Sequence, residues 1–240
     1  SSACFVGGFV GQITNVAATI EGCDNKGRVY NHSYNNNAYS TAFTMNCTGG
    51  IVGGHGAVAG ANKALTLKNC SNSTPIDAIR GFVAGIAGYA ANATIEECNY
   101  LNGRITDDQN CYMAGIVGGA MNSTVSNCSA TTNLTGYNGG SCYVRAGGIV
   151  AWSMGTTTVE KCKYFGDITA TTVVEGQFFG GIVGLADDEN TVIKACQYGG
   201  RILGMEINSN NCEKFTVGMA TNFETDSDAQ VNDITYWNGK

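Results

Sequence analysis

The sequence is poor in charge, proline and histidine, and these shortages narrow what the chain can be. Charged residues make up 13% of the 240 residues, with one proline, two histidines and a formal net charge of −6. Globular domains usually carry about 25% charged residues. An acidic chain without a basic stripe is not expected to bind nucleic acid. No apolar run approaches the roughly 20 residues of a membrane-spanning helix, so no membrane insertion is expected.

The sequence also lacks the common signatures of catalysis. It contains no G-x-S-x-G, no H-E-x-x-H and no phosphate-binding loop, each of which places reactive groups at a fixed spacing. His55 stands between glycines in Gly53-Gly54-His55-Gly56, which predicts a loop residue rather than a catalytic base. We therefore expect no catalytic, cofactor-binding or metal-binding residues. Calcium is a lesser alternative, because the segment 224–233 alternates oxygen-bearing side chains but lacks the glycine of a calcium loop.

What the chain does contain is a repeat that runs along most of its length. Each unit has a Gly, two apolar residues and a small residue, and then a Thr/Val-rich run that ends in Cys. The first glycines are 42, 35, 30, 33 and 33 residues apart, and such a period indicates stacked units that bury their apolar faces against one another. The six blocks are Gly8-Phe9-Val10-Gly11, Gly50-Ile51-Val52-Gly53, Gly85-Ile86-Ala87-Gly88, Gly115-Ile116-Val117-Gly118, Gly148-Ile149-Val150-Ala151 and Gly181-Ile182-Val183-Gly184.

The run before each cysteine has the alternation of a half-buried β-strand. The residue three before the Cys is always apolar and the residue two before it is polar. Because the Cys lies an odd number of residues after the apolar position, both can point inward only if a corner or bulge separates them. The six cysteines of this column are Cys23, Cys70, Cys98, Cys128, Cys162 and Cys196.

A second apolar column follows six or seven residues after each cysteine, and the Gly block supplies a third short strand. Three strands per unit, each matching its counterpart in the next, predict an all-β parallel solenoid of the right-handed β-helix type, with about six coils plus a partial seventh. Stacked coils place equivalent residues in ladders. We therefore expect the outer ladder that begins Glu21, Lys68, Glu96 to alternate in sign and relieve charge repulsion.

The repeat predicts one solenoid domain over residues 1–240, with repeats from about 5 to 217 and a terminal segment from 218 to 240. The chain begins Ser1-Ser2 without Met and shows no polar cap before its first coil. We expect either an excerpt of a longer chain or ends that pair head to tail, which can continue into filaments.

Segments of variable length between the last strand of one unit and the next Gly block are expected to project from one edge and to carry binding. The first of these is Tyr30 to Asn46. Aromatic residues in or beside them suit protein or sugar contacts, or else cover open corners of the coils. The candidate binding residues are Tyr34, Tyr39, Tyr137, Tyr143 and Tyr198.

Eleven cysteines are more compatible with an oxidising compartment than with the cytosol. A second column is predicted to contain Cys4, Cys47, Cys111, Cys142 and Cys212. Cysteines stacked on neighbouring coils have a Cα separation that a disulfide accepts, so Cys98–Cys128, Cys162–Cys196 and Cys111–Cys142 are geometrically plausible pairs. The alternative is a buried ladder of thiols that act as small apolar residues.

Eight N-x-S/T sequons are candidate N-glycosylation sites. Repeats rich in Asn, Ser and Thr also generate sequons by composition, so this alternative stays open. The sequons lie at Asn31, Asn46, Asn69, Asn72, Asn92, Asn122, Asn127 and Asn133.

The repeated Gly-Ile-Val-Gly, with Thr-Ile/Val-x-x-Cys and Gly-x-Ile downstream, resembles the GLUG-motif repeats. The resemblance covers about residues 7–217; Ala151 departs from the last Gly and Ala87 softens the apolar pair. It implies an extracellular β-solenoid module of a secreted or surface protein, including adhesins, and it brings no catalytic residues.

Together these features predict an extracellular or cell-surface repeat protein without enzymatic activity. It would serve as an adhesion or binding module for a protein or glycan ligand, or as a fibre-forming structural subunit that stacks on itself. The alternative is a carbohydrate-active β-helix enzyme, a polysaccharide lyase or hydrolase, because parallel β-helices also carry clustered carboxylates. Asp107, Asp108 and Asp187-Asp188-Glu189 are the acidic clusters that would have to meet.

Overall fold

The computed structural model describes residues 3–33, 45–56, 63–107, 111–136, 144–170, 178–187 and 190–203. In these ranges the regular structure consists of 30 short β-strands. None of the described residues forms a helix of the length and apolarity needed to cross a membrane. The strands follow one another as six coils of five strands each.

The first three coils run from the start of the described chain to Asp107. Coil 1 contains β1 (Phe5–Gly7), β2 (Val10–Ile13), β3 (Ala18–Glu21), β4 (Asp24–Asn25) and β5 (Val29–Asn31). Coil 2 contains β6 (Cys47–Gly49), β7 (Val52–His55), β8 (Leu65–Lys68), β9 (Ser71–Asn72) and β10 (Ile76–Ala78). Coil 3 contains β11 (Gly81–Ala84), β12 (Ala87–Ala91), β13 (Ala93–Glu96), β14 (Asn99–Tyr100) and β15 (Arg104–Asp107).

The last three coils repeat this order. Coil 4 contains β16 (Cys111–Ala114), β17 (Val117–Met121), β18 (Thr124–Ser126), β19 (Ser129–Ala130) and β20 (Asn133–Gly136). Coil 5 contains β21 (Arg145–Gly147), β22 (Val150–Met154), β23 (Thr158–Glu160), β24 (Lys163–Tyr164) and β25 (Ile168–Ala170). Coil 6 contains β26 (Phe178–Gly180), β27 (Val183–Ala186), β28 (Val192–Lys194), β29 (Gln197–Tyr198) and β30 (Ile202–Leu203).

Equivalent strands of the six coils pair side by side and in parallel. They form five six-stranded sheets, which we name A to E after the first to the fifth strand of each coil. Residues of the same repeat position pair across coils, as Ile76 does with Val29 and Ile105 in sheet E. The predicted parallel β-solenoid is therefore confirmed. The predicted partial seventh coil and terminal segment, 218–240, lie outside the described residues.

The prediction of three strands per coil is wrong, because each coil has five. The first glycine and first apolar residue of each block, such as Gly50 and Ile51, form a bend rather than a strand. That bend joins a sheet A strand to a sheet B strand, and two-residue strands follow each ladder cysteine to form sheet D. Strands of two to five residues are too short for an alternation pattern to reveal each one.

The bend requires glycine because its face is covered by side chains of sheet D. A Cβ on Gly148 would overlap the ring of Tyr164 and the carbonyl oxygen of Gly181 in the next coil. Gly85 stands in the same relation to Tyr100 and to the Gly115 carbonyl oxygen. The repeated first glycine is thus a packing requirement, and neither of these two glycines has a positive φ.

The corner predicted before each ladder cysteine is confirmed. The residue directly before the cysteine has a left-handed backbone in all six coils. One left-handed residue reverses the inside–outside alternation, so the cysteine and the apolar residue three positions earlier both point inward. The six residues and their φ angles are Gly22 (65°), Asn69 (50°), Glu97 (56°), Asn127 (53°), Lys161 (53°) and Ala195 (50°).

The interior contains the two predicted apolar columns, while the predicted charge ladder lies on the outer face of sheet C. Leu67 and Ile95 are fully buried in the first column, as are Ile76 and Ile105 in the second. Outside, Lys68 Nζ lies 3.4 Å from a carboxylate oxygen of Glu96. The Lys194–Glu160 pair has the same separation. The alternating sign is therefore confirmed for Glu21, Lys68 and Glu96, and the neutral Ser126 interrupts it in coil 4. Exposed pairs of this kind stabilise a fold by only about 0–1 kcal/mol each.

Candidate binding surface on sheets A and B

A second hydrophobic cluster lies on the faces of sheets A and B that point away from the main core. Strand alternation produces it: Val83 on β11 packs in the main core, and its neighbour Phe82 packs in the second cluster. Phe82 and Tyr89 are both fully buried there. Burial, and then the neighbouring Cys47, raise the pKa of Tyr89 to about 12. We call this cluster, with its exposed margin, the aromatic surface.

Two repeat positions supply the aromatic surface. The position three before each block glycine stacks in register along sheet A as Phe5, Cys47, Phe82, Tyr112, Arg145 and Phe178. The position four after that glycine stacks along sheet B as Gln12, Gly54, Tyr89, Gly119, Trp152 and Leu185. Each position is variable, so the surface has a different composition at each coil.

Glycines at the facing ends of sheets A and B allow the two columns to come together. A Cβ on Gly49 would overlap the backbone of Val52 and Gly88, and one on Gly53 would overlap the backbone of Gly11. These small residues bring the two strands of each coil close at the bend. The larger side chains of the two columns therefore contact each other above small residues, as Phe82 and Tyr89 do at Gly119.

Arg145 is the one charged side chain in these two columns, and it is surrounded by rings. Its guanidinium carbon lies 4.9 Å from the centre of the Tyr112 ring, 5.5 Å from Phe178 and 5.8 Å from Trp152. Its Nη1 donates to the hydroxyl of Tyr112. The rings of Tyr112 and Trp152 are stacked, with centres 4.9 Å apart and planes at 17°. Cation–π attraction and stacking fix the arginine in place.

Two N–H donors in this surface have no acceptor among the described residues. They are Nε of Arg145 and Nε1 of Trp152, and both atoms are buried although each side chain is partly exposed. Most buried polar atoms in proteins are hydrogen-bonded, and an unsatisfied donor costs about 1–3 kcal/mol. An acceptor brought by another molecule would remove that cost.

The aromatic surface lies beside the edge where coils are joined. Three of the four longest intervals between consecutive strands, residues 32–46, 137–144 and 171–177, connect sheet E to the next strand of sheet A. The fourth, residues 56–64, connects sheet B to sheet C. Most of the difference in length between coils therefore lies in the segments that lead into sheet A, as the sequence predicts.

Of the five predicted tyrosines, the structure describes Tyr198, which lies away from this surface. Tyr198 was expected in a binding loop, but it is 6% exposed and packs against Gly181 in the main core. It belongs to the sheet D column that covers the block glycines, where its ring stacks 5.9 Å from that of Tyr164. The other four candidates, Tyr34, Tyr39, Tyr137 and Tyr143, lie outside the described residues.

Sequence reasoning missed Tyr112, Arg145 and Trp152. Extending the repeat three residues before and four residues after each block glycine would have aligned them with Phe82 and Tyr89. The signal was diluted because coil 2 carries Cys47 and Gly54 at these positions, so no aromatic pattern repeats from coil to coil.

The cysteines before sheet D form a ladder of thiols. Cys98 Sγ is 3.3 Å from the carbonyl oxygen of Glu96 and 3.7 Å from that of Leu67 in the preceding coil. Cys162 and Cys196 bond in the same way to their own and the preceding coil. Hydrogen bonding to Cys128, and also burial, raise the pKa of Cys98 to about 12. These thiols occupy the left-handed corners, and the plausible pairs Cys98–Cys128 and Cys162–Cys196 are not disulfides in this structure.

The second predicted cysteine column is wrong where the structure describes it. Cys47 pairs with Phe5 and Phe82 on the outward face, whereas Cys111 pairs with Gly81 and belongs to the main core. Cys4 precedes Phe5 and is therefore out of step with Cys47 by one residue. Cys142 and Cys212, and with them the pair Cys111–Cys142, lie outside the described residues.

The eight sequons differ in exposure. Asn31, Asn46 and Asn72 are buried, with 4%, 3% and 1% of their surface exposed. Asn72 donates to the Gly85 carbonyl oxygen and accepts from Asn25, so a glycan there would displace packed backbone. The amides on the outside are the exposed Asn69, Asn122, Asn127 and Asn133 and the half-buried Asn92.

The two histidines lie in different environments, His55 inside the solenoid and His32 on its surface. The prediction of a loop residue is wrong for His55, which ends β7 and is fully buried, because the paired positions Ile13 and Ala90 enclose it. Burial lowers its pKa. His32 is exposed and its Nδ1 lies 2.8 Å from the hydroxyl of Tyr30.

Several described carboxylates are paired with cations rather than left for acid–base chemistry. Asp77 accepts from Arg28 at 2.9 and 2.5 Å, and Asp167 accepts from Arg201 at 3.3 and 2.6 Å. A hydrogen bond from Ser71 and the pairing with Lys26 lower the pKa of Asp24. A general acid needs its pKa raised instead.

Most of the other acidic residues considered for catalysis or calcium binding lie outside the described residues. These are the side chain of Asp107, the residues Asp108, Asp188 and Glu189, and the segment 224–233. Among the described residues, no three His, Cys, Asp or Glu side chains come together as a metal site.

The fold and the ladders define a parallel β-solenoid built from one repeated coil. The family described as the GLUG motif matches residues 109–135, which correspond to coil 4 from just before β16 to within β20. The resemblance predicted from the sequence is confirmed in that coil, and the other five coils repeat its register. GLUG repeats are not an enzyme family. No curated protein matches the chain.

Proposed function

We propose that this chain is a non-enzymatic, extracellular β-solenoid that presents a binding surface for a protein or glycan, in the manner of a surface adhesion module. The observation that carries the proposal is the pair of partly exposed side chains Arg145 and Trp152, which pack on the buried ring of Tyr112 on sheets A and B. Tyrosine, tryptophan and arginine dominate binding hot spots, since they give large contact areas with directed hydrogen bonds. Neither nucleic acid nor membrane insertion is part of the proposal.

The stacked coils supply the rigidity that such a surface needs. Tyr112 and Arg145 lie on β16 and β21, which pair in register in sheet A. Trp152 lies on β22, which pairs with β17 and β27 in sheet B. A side chain held by a sheet loses less freedom on binding than one on a free loop. The exposed sequons and the weakly charged exterior support an extracellular location.

The test is a binding panel with the full chain immobilised on beads. Glycans of neutral and acidic composition and purified extracellular proteins are offered separately, and polysaccharides are also assayed for released product. Saturable binding without product supports the proposal. Product release would support the polysaccharide lyase or hydrolase instead, and a panel with neither binding nor product would contradict both.

A second candidate role, a fibre-forming structural subunit stacking head to tail, has its own supporting observation. Coil 1 exposes residues that are buried in the coils stacked on both sides: Phe9 is 51% exposed, while its counterpart Ile51 is fully buried. Val16, in the same coil, is 54% exposed. A second copy placed on this edge would continue all five sheets.

Electron microscopy of the secreted chain tests this second role. Filaments whose repeat matches six or seven coils, about 29–34 Å at the strand spacing, would support it. Filaments that disappear in Val16→Lys, but persist when the exposed Leu101 is changed to Lys, would place the contact on coil 1. Single rods at all concentrations would contradict the fibre role.

A further inference from the structure

The guanidinium of Arg145 has more hydrogen-bonding capacity than the described chain uses. An arginine has five N–H donors in a planar fork. Here one donor goes to the Tyr112 hydroxyl, and the buried Nε finds no acceptor among the described residues. No described carboxylate forms an ion pair with it. By contrast, Arg28 and Arg201 on sheet E each bind an aspartate.

The second donor without an acceptor belongs to the same group of side chains. The Trp152 ring centre is 5.8 Å from the Arg145 guanidinium carbon, and its Nε1 is buried without an acceptor among the described residues. Both side chains are partly exposed. The two donors without an acceptor thus belong to side chains in contact with each other, each partly exposed, and an oxygen-bearing ligand at this exposed margin is the acceptor that the group lacks.

We infer that the aromatic surface binds the carboxylate of an acidic sugar, with Arg145 and Trp152 as N–H donors. This inference rests on the proposed binding function and names its ligand class. A carboxylate matches the planar donor fork of arginine. It also neutralises a half-buried cation that no described acid neutralises.

The rings favour a sugar over an acidic peptide as the source of that carboxylate. Tyr112, Trp152 and Phe178 surround Arg145 within 6 Å. A pyranose ring offers a C–H face to these side chains and hydroxyl oxygens to the indole N–H, so one residue can use all the groups. An extended acidic peptide would bind the guanidinium of Arg145 but would leave the exposed edges of the aromatic rings without a contact.

The experiment is isothermal titration of the full chain with tetragalacturonate, an oligomer that carries one carboxylate per sugar. Its methyl ester is the matched ligand, since it keeps the rings and hydroxyls and removes the charge. We expect saturable binding of the acid and at least about tenfold weaker binding of the ester, in line with the strength of charged hydrogen bonds. Tetraglutamate tests the peptide as the source of the carboxylate.

Three variants locate the binding site. Arg145→Gln removes the charge and should weaken tetragalacturonate binding at least about tenfold, and Trp152→Phe keeps the ring but removes the N–H and should weaken it about three- to tenfold. Arg145→Lys keeps the positive charge but loses the planar donor fork. Its affinity for tetragalacturonate should lie between those of the wild type and Arg145→Gln. Arg201→Gln, on sheet E, is the control and should bind as wild type does. Urea unfolding midpoints confirm that each variant is folded.

The outcomes separate this inference from the proposed function. Equal binding of acid and ester, equal binding of tetraglutamate, or unchanged binding by Arg145→Gln would overturn the inference. If the panel finds another ligand whose binding Arg145→Gln does not alter, the proposed function stands and the acidic-sugar site falls. If the full panel, including tetragalacturonate, shows no binding, both fall.

Discussion

Replacing the first glycine of one block by alanine should destabilise the solenoid more than its single added methyl group suggests. In coil 5 this residue is Gly148, at the bend between β21 and β22. The Tyr164 ring and the Gly181 carbonyl oxygen of coil 6 both lie where its Cβ would be. A Cβ would sit closer than 3.0 Å to both. Neither neighbour can move freely, because the ring is fully buried and the backbone on both sides of Gly181 accepts hydrogen bonds, at Gly180 and Ile182.

The size of the effect follows from this overlap. Inserting a methyl group into a packed core costs about 1–3 kcal/mol, and a clash with backbone belongs at the upper end of that range. For a chain of this length, each kcal/mol corresponds to a fall of about 2–4 °C in the melting temperature. Gly148→Ala should therefore melt about 6–12 °C below wild type.

The matched control is Gly22, whose added Cβ would have no atom within 4 Å. Its φ of +65° makes alanine cost about 1–2 kcal/mol, for backbone reasons alone. Gly22→Asn should cost less still, because Asn69 and Asn127 take the same conformation in coils 2 and 4. Thermal unfolding followed by circular dichroism measures all three. A Gly148→Ala chain that melts no lower than Gly22→Ala would refute the packing argument.

Three further predictions concern buried polar groups. Burial lowers the pKa of His55, so the unfolded chain binds a proton that the native chain does not. The free energy of unfolding should therefore fall as the pH drops through about 6.5, the ordinary pKa of histidine. His55→Leu should flatten that decline in urea unfolding, and an unchanged slope would contradict the assignment. Tyr100→Phe removes a hydroxyl whose single proton is shared between two carbonyl oxygens, each 2.9 Å away, and should cost about 1–3 kcal/mol. Among the described residues, the hydroxyl of Tyr89 donates to the sulfur of Met121. Sulfur is a weak acceptor, so Tyr89→Phe should cost less, and equal losses of unfolding free energy in the two variants would refute the difference. Cys70 and Cys98 are fully buried thiols, so a thiol reagent should label them only on unfolding, with mass mapping of the labelled peptides as the measurement. Labelling in the native chain, or a disulfide found by mapping, would contradict the ladder.

The sequence was sufficient to predict the stacking of coils but not the path within each coil. The columns headed by Ile20 and Val29 repeat at every coil, and a repeated apolar position must face a shared interior. The odd spacing to Cys23 indicated a corner or bulge before the cysteine, and the structure adds that a left-handed residue makes it. Five strands could not be counted, because Asp24–Asn25 and its equivalents are only two residues long and have no periodicity.

The candidate binding surface was hidden from sequence analysis for a different physical reason. It forms on the outer faces of sheets A and B, where each coil contributes a different residue, from Phe82 to Arg145. A pattern search finds what repeats, and a site made of variable positions does not repeat. Tyr198 was misplaced because an aromatic residue that covers a glycine bend in the core looks, in sequence, like one in a loop.

The central claim, that sheets A and B carry the binding surface, is tested most directly by the fluorescence of Trp152. The chain has two tryptophans, so Trp237→Phe leaves Trp152 as the single reporter. On titration with tetragalacturonate, we predict a saturable change in its emission that is absent in the same chain with Arg145→Gln. Unchanged emission while calorimetry records binding would place the ligand elsewhere and contradict the account.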